Sequence, residues 1–349
     1  MEALWYGIAA MTLAIYVVMD GFDFGAGALH LWIARRDAER RQVLAAIGPF
    51  WDGNEVWLLA AGGVLFLAFP RVLAAGLSGF YLAIMLVLWL LILRGIAIEF
   101  RSHLADGMWR SLWDAIFALA STLLPVLFGA ALGNLLRGVP LAADGWFALT
   151  LFASFSPRGE LGLLDWYTVL AGVLALVALA HHGALFLAWK TDGDVQRRSR
   201  RAAAGLFPAL LPLWLLGTVA TFSLNPALRA AVTSRPLAWL AGALLLVGLA
   251  LSGLARRAGR DLTAFLGSAA FLLGVLGATA ASLYPVLIRA AGDATLSLDA
   301  AASAASRDSL TAALGWWPAG LALALVYIAM VFRLHRGKVS AAPVAEEER

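Results

Sequence analysis

Cysteine is absent from this 349-residue chain, and charge is scarce at 14% Asp, Glu, Lys and Arg. The first absence excludes disulfides, iron–sulfur clusters, thiolate-ligated haem and thiolate copper sites. The second excludes an ordinary soluble domain, which carries about 25% charged and about 45–50% apolar residues. Here 62% of residues are hydrophobic and mean hydropathy is +0.83, an excess that only lipid can solvate. The formal charge of +4 comes from basic residues dispersed over short loops, so nucleic acid is not an expected partner. No cleavable signal is expected, because the first apolar run is too long for an h-region and lacks a basic n-region. The Glu346-Glu347-Glu348-Arg349 end reads as a solvated, disordered tail.

What is present is a series of apolar runs, each near the 20 residues or so that one helix needs to cross hydrocarbon. They fall at about 4–34, 50–69, 73–99, 112–135, 165–189, 205–222, 236–255, 261–288 and 313–333. An all-α polytopic membrane protein of about nine transmembrane helices is expected. The loops after runs one, three, five and seven, with the C-terminal segment, hold 18 Lys and Arg; the opposite set holds seven. Because Lys/Arg excess marks the cytoplasm, the N-terminus is expected outside (periplasmic) and the C-terminus inside. The outer loops at 136–164 and 289–312 are the longest and are expected to cap the outer face.

A weak internal echo suggests duplication. Gly27-Ala28-Leu29 resembles Gly183-Ala184-Leu185, and Ala120-Ser121-Thr122-Leu123-Leu124-Pro125 resembles Ala281-Ser282-Leu283-Tyr284-Pro285, at offsets of 156 and 160 residues. The expected division is a first four-helix repeat at 1–135, a loop at 136–164 and a second repeat at 165–288. A loop at 289–312, a ninth, peripheral helix at 313–338 and a disordered cytoplasmic tail at 339–349 complete it.

Ionisable groups inside these runs are the informative residues. A carboxylate at mid-bilayer costs about 2.5–3.5 kcal/mol even on the lenient insertion scale, yet Asp20 and Asp23 sit together in the first run. Three apart, they share a helix face that Gly27 and His30 continue. The bland alternative is that each only pairs with an intramembrane arginine or a facing backbone. The second run opens Pro49-Phe50-Trp51-Asp52-Gly53-Asn54-Glu55-Val56-Trp57. Asp52 there suits a helix dipole, but the dipole does not call for Asp52, Asn54 and Glu55 together. If the two helices are neighbours, Asp52, Glu55, Asp23 and Asp20 form a ladder from the cytoplasm toward mid-membrane. Asp23 would stand about 16 Å above the inner end of its helix. Such a ladder is what a proton relay needs. Arg94 is the candidate ion partner of a buried acid, with Glu99 its competitor and snorkelling the alternative; Arg101 is expected to snorkel. Asp114 is expected at the interface. The five histidines, His30, His103, His181, His182 and His335, lack the spacing of a bis-His haem or three-His copper site. Metal ligation and a redox centre are therefore not expected in this chain.

These motifs carry a family resemblance. Asp20-Gly-Phe-Asp23-Phe-Gly-Ala-Gly27, Trp51-Asp52-Gly-Asn-Glu55-Val-Trp57 and Arg94-Gly-Ile-Ala-Ile-Glu99-Phe-Arg101 resemble subunit II of the cytochrome bd-type quinol oxidases. Gly133-Asn134-Leu-Leu-Arg137-Gly-Val-Pro140, His182-Gly183-Ala184 and Tyr284-Pro285 fit as well, so the resemblance spans nearly the whole chain. His181-His182-Gly183 and Glu55 look more like the cyanide-insensitive branch. The resemblance implies two four-helix bundles plus a peripheral helix in a bacterial cytoplasmic membrane. It also implies a homologous subunit I bearing haem b and haem d groups and the quinol-oxidising loop. The pair would reduce O₂ to water with quinol electrons and cytoplasmic protons, without pumping. The resemblance assigns the acid at Asp52 to proton uptake and that at Asp23 to proton transfer or haem assembly; the roles of Asp20 and Glu55 transfer less directly. A structural quinone or lipid in this subunit and single-helix accessory subunits are also implied. Two other readings compete: a proton-coupled secondary transporter, with Pro125 and Pro285 as broken-helix marks, and a structural scaffold whose acids only dock a partner.

Overall fold

The computed structural model describes residues 1–157 and 159–341; the Glu346–Arg349 end read above as a tail lies outside them. The helices, in chain order, are α1 (Glu2–Ala28), α2 (His30–Ile33), α3 (Asp37–Ile47), α4 (Trp51–Ala68), α5 (Pro70–Gly79), α6 (Tyr81–Phe100) and α7 (Gly107–Arg137). There follow α8 (Trp166–Lys190), α9 (Gly193–Leu224), α10 (Pro226–Ser234), α11 (Pro236–Arg257) and α12 (Asp261–Leu283). The strands β1 (Val286–Ile288) and β2 (Leu298–Asp299) precede α13 (Ala300–Ser303) and α14 (Arg307–Leu334). Among the described residues eight helices, α1, α6, α7, α8, α9, α11, α12 and α14, are long and apolar enough to cross a membrane. α4 falls short because Asp52, Asn54 and Glu55 crowd its start, although its 18 residues still extend roughly 27 Å.

Several boundaries differ from the expected runs. The run at 4–34 is broken at Leu29, after Gly25 and Gly27 have weakened the end of α1. The run at 73–99 is two helices parted at Phe80. At Gly79 the ring of Phe147 packs so close that a Cβ would lie 2.2 Å from it, which fixes the end of α5. The run at 205–222 starts instead at Gly193, because the segment with Arg197, Arg198, Arg200 and Arg201 is helical below the apolar part. The run at 261–288 stops at Leu283, since Tyr284 precedes Pro285 and is sterically kept out of the α region. Pro125 lies inside an uninterrupted α7, so neither proline breaks a helix mid-membrane.

α1 is the axis of the fold. It packs on α4, α7, α8 and α12, with α8 against α9 and α11 against α12, while α14 leans on α4. The α1–α8 crossing is backbone on backbone: a Cβ on Gly25 would fall 1.9 Å from the Leu179 carbonyl oxygen, and one on Gly183 2.4 Å from Ala26 N. Small residues at such crossings replace the hydrophobic drive that lipid removes. At the end where α1 begins, the 136–164 and 289–312 segments fold together over the helices. β1 and β2 pair antiparallel, Val139 bridges to Ala290, and Trp5, Phe69, Phe147, Leu163 and Ile288 bury beneath them. At the opposite, arginine-rich end, the segment expected to begin a disordered tail at 339 is in part ordered. Val339 N–H donates to the Lys190 carbonyl at 2.7 Å and Gln42 Nε2 donates to the Val339 carbonyl at 2.6 Å.

Candidate proton-handling site

Asp20 and Asp23 project from one face of α1 and are both fully buried. α6 supplies Arg94, equally buried, whose Nη1 lies 2.7 Å from Asp20 Oδ1 and whose Nη2 lies 2.5 Å from Glu55 Oε1. The guanidinium also covers the Phe24 ring at 4.4 Å, a favourable place for a flat, weakly hydrated cation. Snorkelling is thus ruled out for Arg94. From α4, Asn54 Nδ2 donates to Asp23 Oδ2 at 2.7 Å and to the Met19 carbonyl at 3.0 Å. One turn above Asp20 on α1, the buried Tyr16 packs edge-on to Phe24 and Phe128. Tyr16 OH, Asp20 Oδ2, Asp23 Oδ1 and Arg94 Nε are buried with no hydrogen-bond partner among the described residues.

One guanidinium therefore pairs with two carboxyls, Asp20 and Glu55, while the third, Asp23, is held by the Asn54 amide. A buried charge lacking a partner is costly, and three acids here share one cation. Glu55 keeps 28% of its side chain exposed and is the accessible member.

The other expected residues divide. Asp52 sits in the first turn of α4 but is exposed, on a stripe with Val56, Leu59 and Phe66, and makes no side-chain contact with Asp23 or Asp20. Glu99 is exposed and only its backbone carbonyl is engaged, by His103. It is no competitor for Arg94, because five residues along a helix turn a side chain roughly 140° away.

Arg101 and Asp114 depart from expectation together. Seven residues from Arg94, Arg101 returns to the same buried face and is 1% exposed. Its Nε donates to Asp114 Oδ1 at 2.6 Å and its Nη2 to Asp37 Oδ1 at 2.7 Å. Asp114, 1% exposed, also accepts from His30 Nε2 at 2.7 Å and Arg40 Nη1 at 2.9 Å. The i,i+7 spacing was the available signal. Around it, Glu39 of α3 meets Arg36, Arg198 and the Arg35 N–H. Burial pushes its carboxyl up, but these donors outweigh burial and hold it at about 2. Asp37 is likewise opposed by burial but held below the usual range by Arg101, Arg41 and Arg110. This network ties α2, α3, α6 and α7 at the arginine-rich end.

The remaining histidines are engaged structurally. His181 bonds the Ala203 carbonyl and Ser252 Oγ, both at 3.1 Å; His182 bonds Ser268 Oγ at 2.6 Å and the Val18 carbonyl at 3.0 Å. Both ring nitrogens of each are thus engaged within the chain. Toward the other end, Asn134 and Arg137 hold the 136–164 loop through the Leu163 and Gly162 carbonyls.

The family described as "Cytochrome bd terminal oxidase subunit II" matches residues 1–335. The chain belongs to that family. It is 39% identical over 200 residues to the "Cytochrome bd-I ubiquinol oxidase subunit 2" of Escherichia coli, covering 57% of this chain and 52% of that one. The chain thus spans about half the length of that relative. Against the "Probable cytochrome oxidase subunit 2" of Haemophilus influenzae, identity is 31% over 363 residues, with 97% and 95% covered. A solved structure of the bd oxidase from Geobacillus thermodenitrificans shares the fold at a TM-score of 0.75 and 18% identity, covering 95% of this chain and 98% of that chain. As a family member, the protein is a multi-pass protein of the bacterial inner membrane.

Proposed function

We propose that this chain is the haem-free subunit II of a quinol:O₂ oxidoreductase. In this reading it stabilises a subunit I that bears the haem b and haem d groups, and it carries protons from the cytoplasm toward the site where O₂ becomes water. The observation that carries the reading is the buried set Asp20, Asp23, Glu55, Asn54 and Arg94. Its acids outnumber its one cation, and it joins a partly accessible carboxyl to two inaccessible ones. Asp52, three residues before Glu55 on α4, collects protons at the arginine-rich, cytoplasmic end. Glu55 receives them beside Arg94, and Asp20 and Asp23 hold them in the interior. Arg94 fixes the carboxyl positions and keeps the local charge small as protons pass.

The same geometry supports a docking face. α4 packs on α1 and α6 on α7, and the Glu55–Arg94 pair spans between them. Beside that pair stand exposed Val56, Leu59, Phe66, Trp89 and Ile92. Carboxylates are too costly to face lipid, so subunit I covers this side and receives protons there. Exposed apolar faces of α9, α11 and α14 are left to lipid, a structural quinone and single-helix accessory subunits. The packing also supports two four-helix units, α1–α4–α6–α7 and α8–α9–α11–α12, with α14 peripheral. The unbroken α7 weighs against the transporter reading.

Asp52→Asn and Glu55→Gln in the purified complex test the route. Each should assemble with its haems yet lower quinol oxidase turnover; wild-type turnover in both would remove this path.

A further inference from the structure

The acids reach α1 from one side of α4, whereas the other side of α4 meets α14, and there the surface is not closed. A narrow cleft with room for about one water molecule lies between the two helices, lined by Met19, Phe50, Gly53, Asn54, Tyr327 and Ile328 among others. Pro49 and Phe332 mark its lower end, near the start of α4 and the last turn of α14. Its walls are apolar with two exceptions. One is Asn54, the same amide that bonds Asp23 Oδ2 and the Met19 carbonyl. The other is the Tyr327 hydroxyl, which rests on Gly53 so closely that a Cβ there would lie 3.0 Å from it. Behind Asn54, Asp23 Oδ1 is buried with no partner among the described residues. Asp52, by contrast, faces away on the exposed stripe of α4.

We infer that this α4–α14 cleft is a second approach for water and protons to Asp23, with Asn54 as its inner gate and Tyr327 at its mouth. The inference rests on the proton-carrying reading above and on its cytoplasmic orientation. The chemistry is a bare proton transfer. An O–H bond of water in the cleft breaks, an O–H bond forms on an Asp23 oxygen, the hydroxide is reprotonated from the cytoplasm, and no electron moves. Asn54 cannot itself relay a proton at neutral pH, so its amide must swing off Asp23 Oδ2 for water to reach the carboxylate. α14 thereby becomes a wall of the route rather than a bystander.

The absence of native cysteine in this chain makes the test direct. In the complete complex in inverted membrane vesicles, Ile328→Cys and Val326→Cys would be exposed to a small, charged thiol reagent, with labelling read on this chain. Thiols react as thiolates, which form only in contact with water. Ile328→Cys, lining the cleft, should label; Val326→Cys, at the same depth on the outward face of α14, should not. No labelling at Ile328→Cys, or equal labelling at both, overturns the inference. Gly53→Val, which fills the cleft, should slow proton uptake severalfold while the haem spectrum is retained, with Asp23→Asn measured beside it. Wild-type uptake in Gly53→Val with slowed uptake in Asp23→Asn overturns the cleft alone. Wild-type uptake in Asp23→Asn overturns the proton-carrying reading beneath it. If Gly53→Val does not assemble, the labelling pair decides.

Discussion

Arg94 Nη1 lies 2.7 Å from Asp20 Oδ1, and both side chains are completely buried. Removing one member of such a pair strands the other charge, at a cost of about 3–5 kcal/mol. Arg94→Met should therefore sharply reduce assembly or thermal stability of the complex. Arg94→Met combined with Asp20→Asn should recover part of the loss, because the stranded carboxylate is gone. A thermal melt of the four-member mutant cycle checks this, and strict additivity would show the pair to be uncoupled.

Gly25 and Gly183 set the α1–α8 distance by backbone contact. Gly25→Val should abolish accumulation of the folded complex in the membrane, since α8 would have to move. Gly62→Ala on α4, with nothing within 4 Å of its added Cβ, should accumulate normally. Immunoblots of membrane fractions compare the two.

Glu39 is held at about 2, below its ordinary value of 4.5. A carboxyl lowered in the folded state contributes stability that is fully present above its unfolded value and lost as pH falls toward its folded one. Melting temperature should therefore fall as pH drops from about 5 toward 2, with Asp37, also held low, adding to the slope. Glu39→Gln should be less stable at pH 7 and should lose less on acidification; an unchanged slope would exclude Glu39 as a source.

Arg101→Leu should destabilise more than a surface arginine change. It would leave Asp114 with only His30 and Arg40, and Asp37 with Arg41 and Arg110 alone of its three arginine partners. Arg257→Leu, an exposed change, supplies the comparison in the same melt.

Much of the architecture was legible because lipid imposes a simple length rule: α8 at Trp166–Lys190 lies within one residue of its expected bounds. Where polar segments are helical, as at the start of α9 and throughout α3, hydropathy is silent and the helix was missed. The break at Phe80 depends on Phe147, a contact from a distant loop that no local pattern encodes. In the site, the i,i+3 spacing of Asp20 and Asp23 and the depth of Arg94 were readable, and the pairing followed. Asp52 makes no side-chain contact with the buried acids, which the ladder could not foretell, because rise along a helix gives depth but not the direction a side chain takes around it. Arg101 was misread for the opposite reason. Its position at a helix end suggested solvent, whereas its angular register with Arg94 turned it inward toward Asp114.

Proton uptake by the Asp23→Asn complex, reconstituted in liposomes and started with an O₂ pulse, tests the central claim most directly. The variant should show the haem spectrum of an assembled complex while uptake and turnover fall by about tenfold or more, the scale of a lost proton-transfer group. Wild-type uptake in a fully assembled Asp23→Asn complex would contradict it.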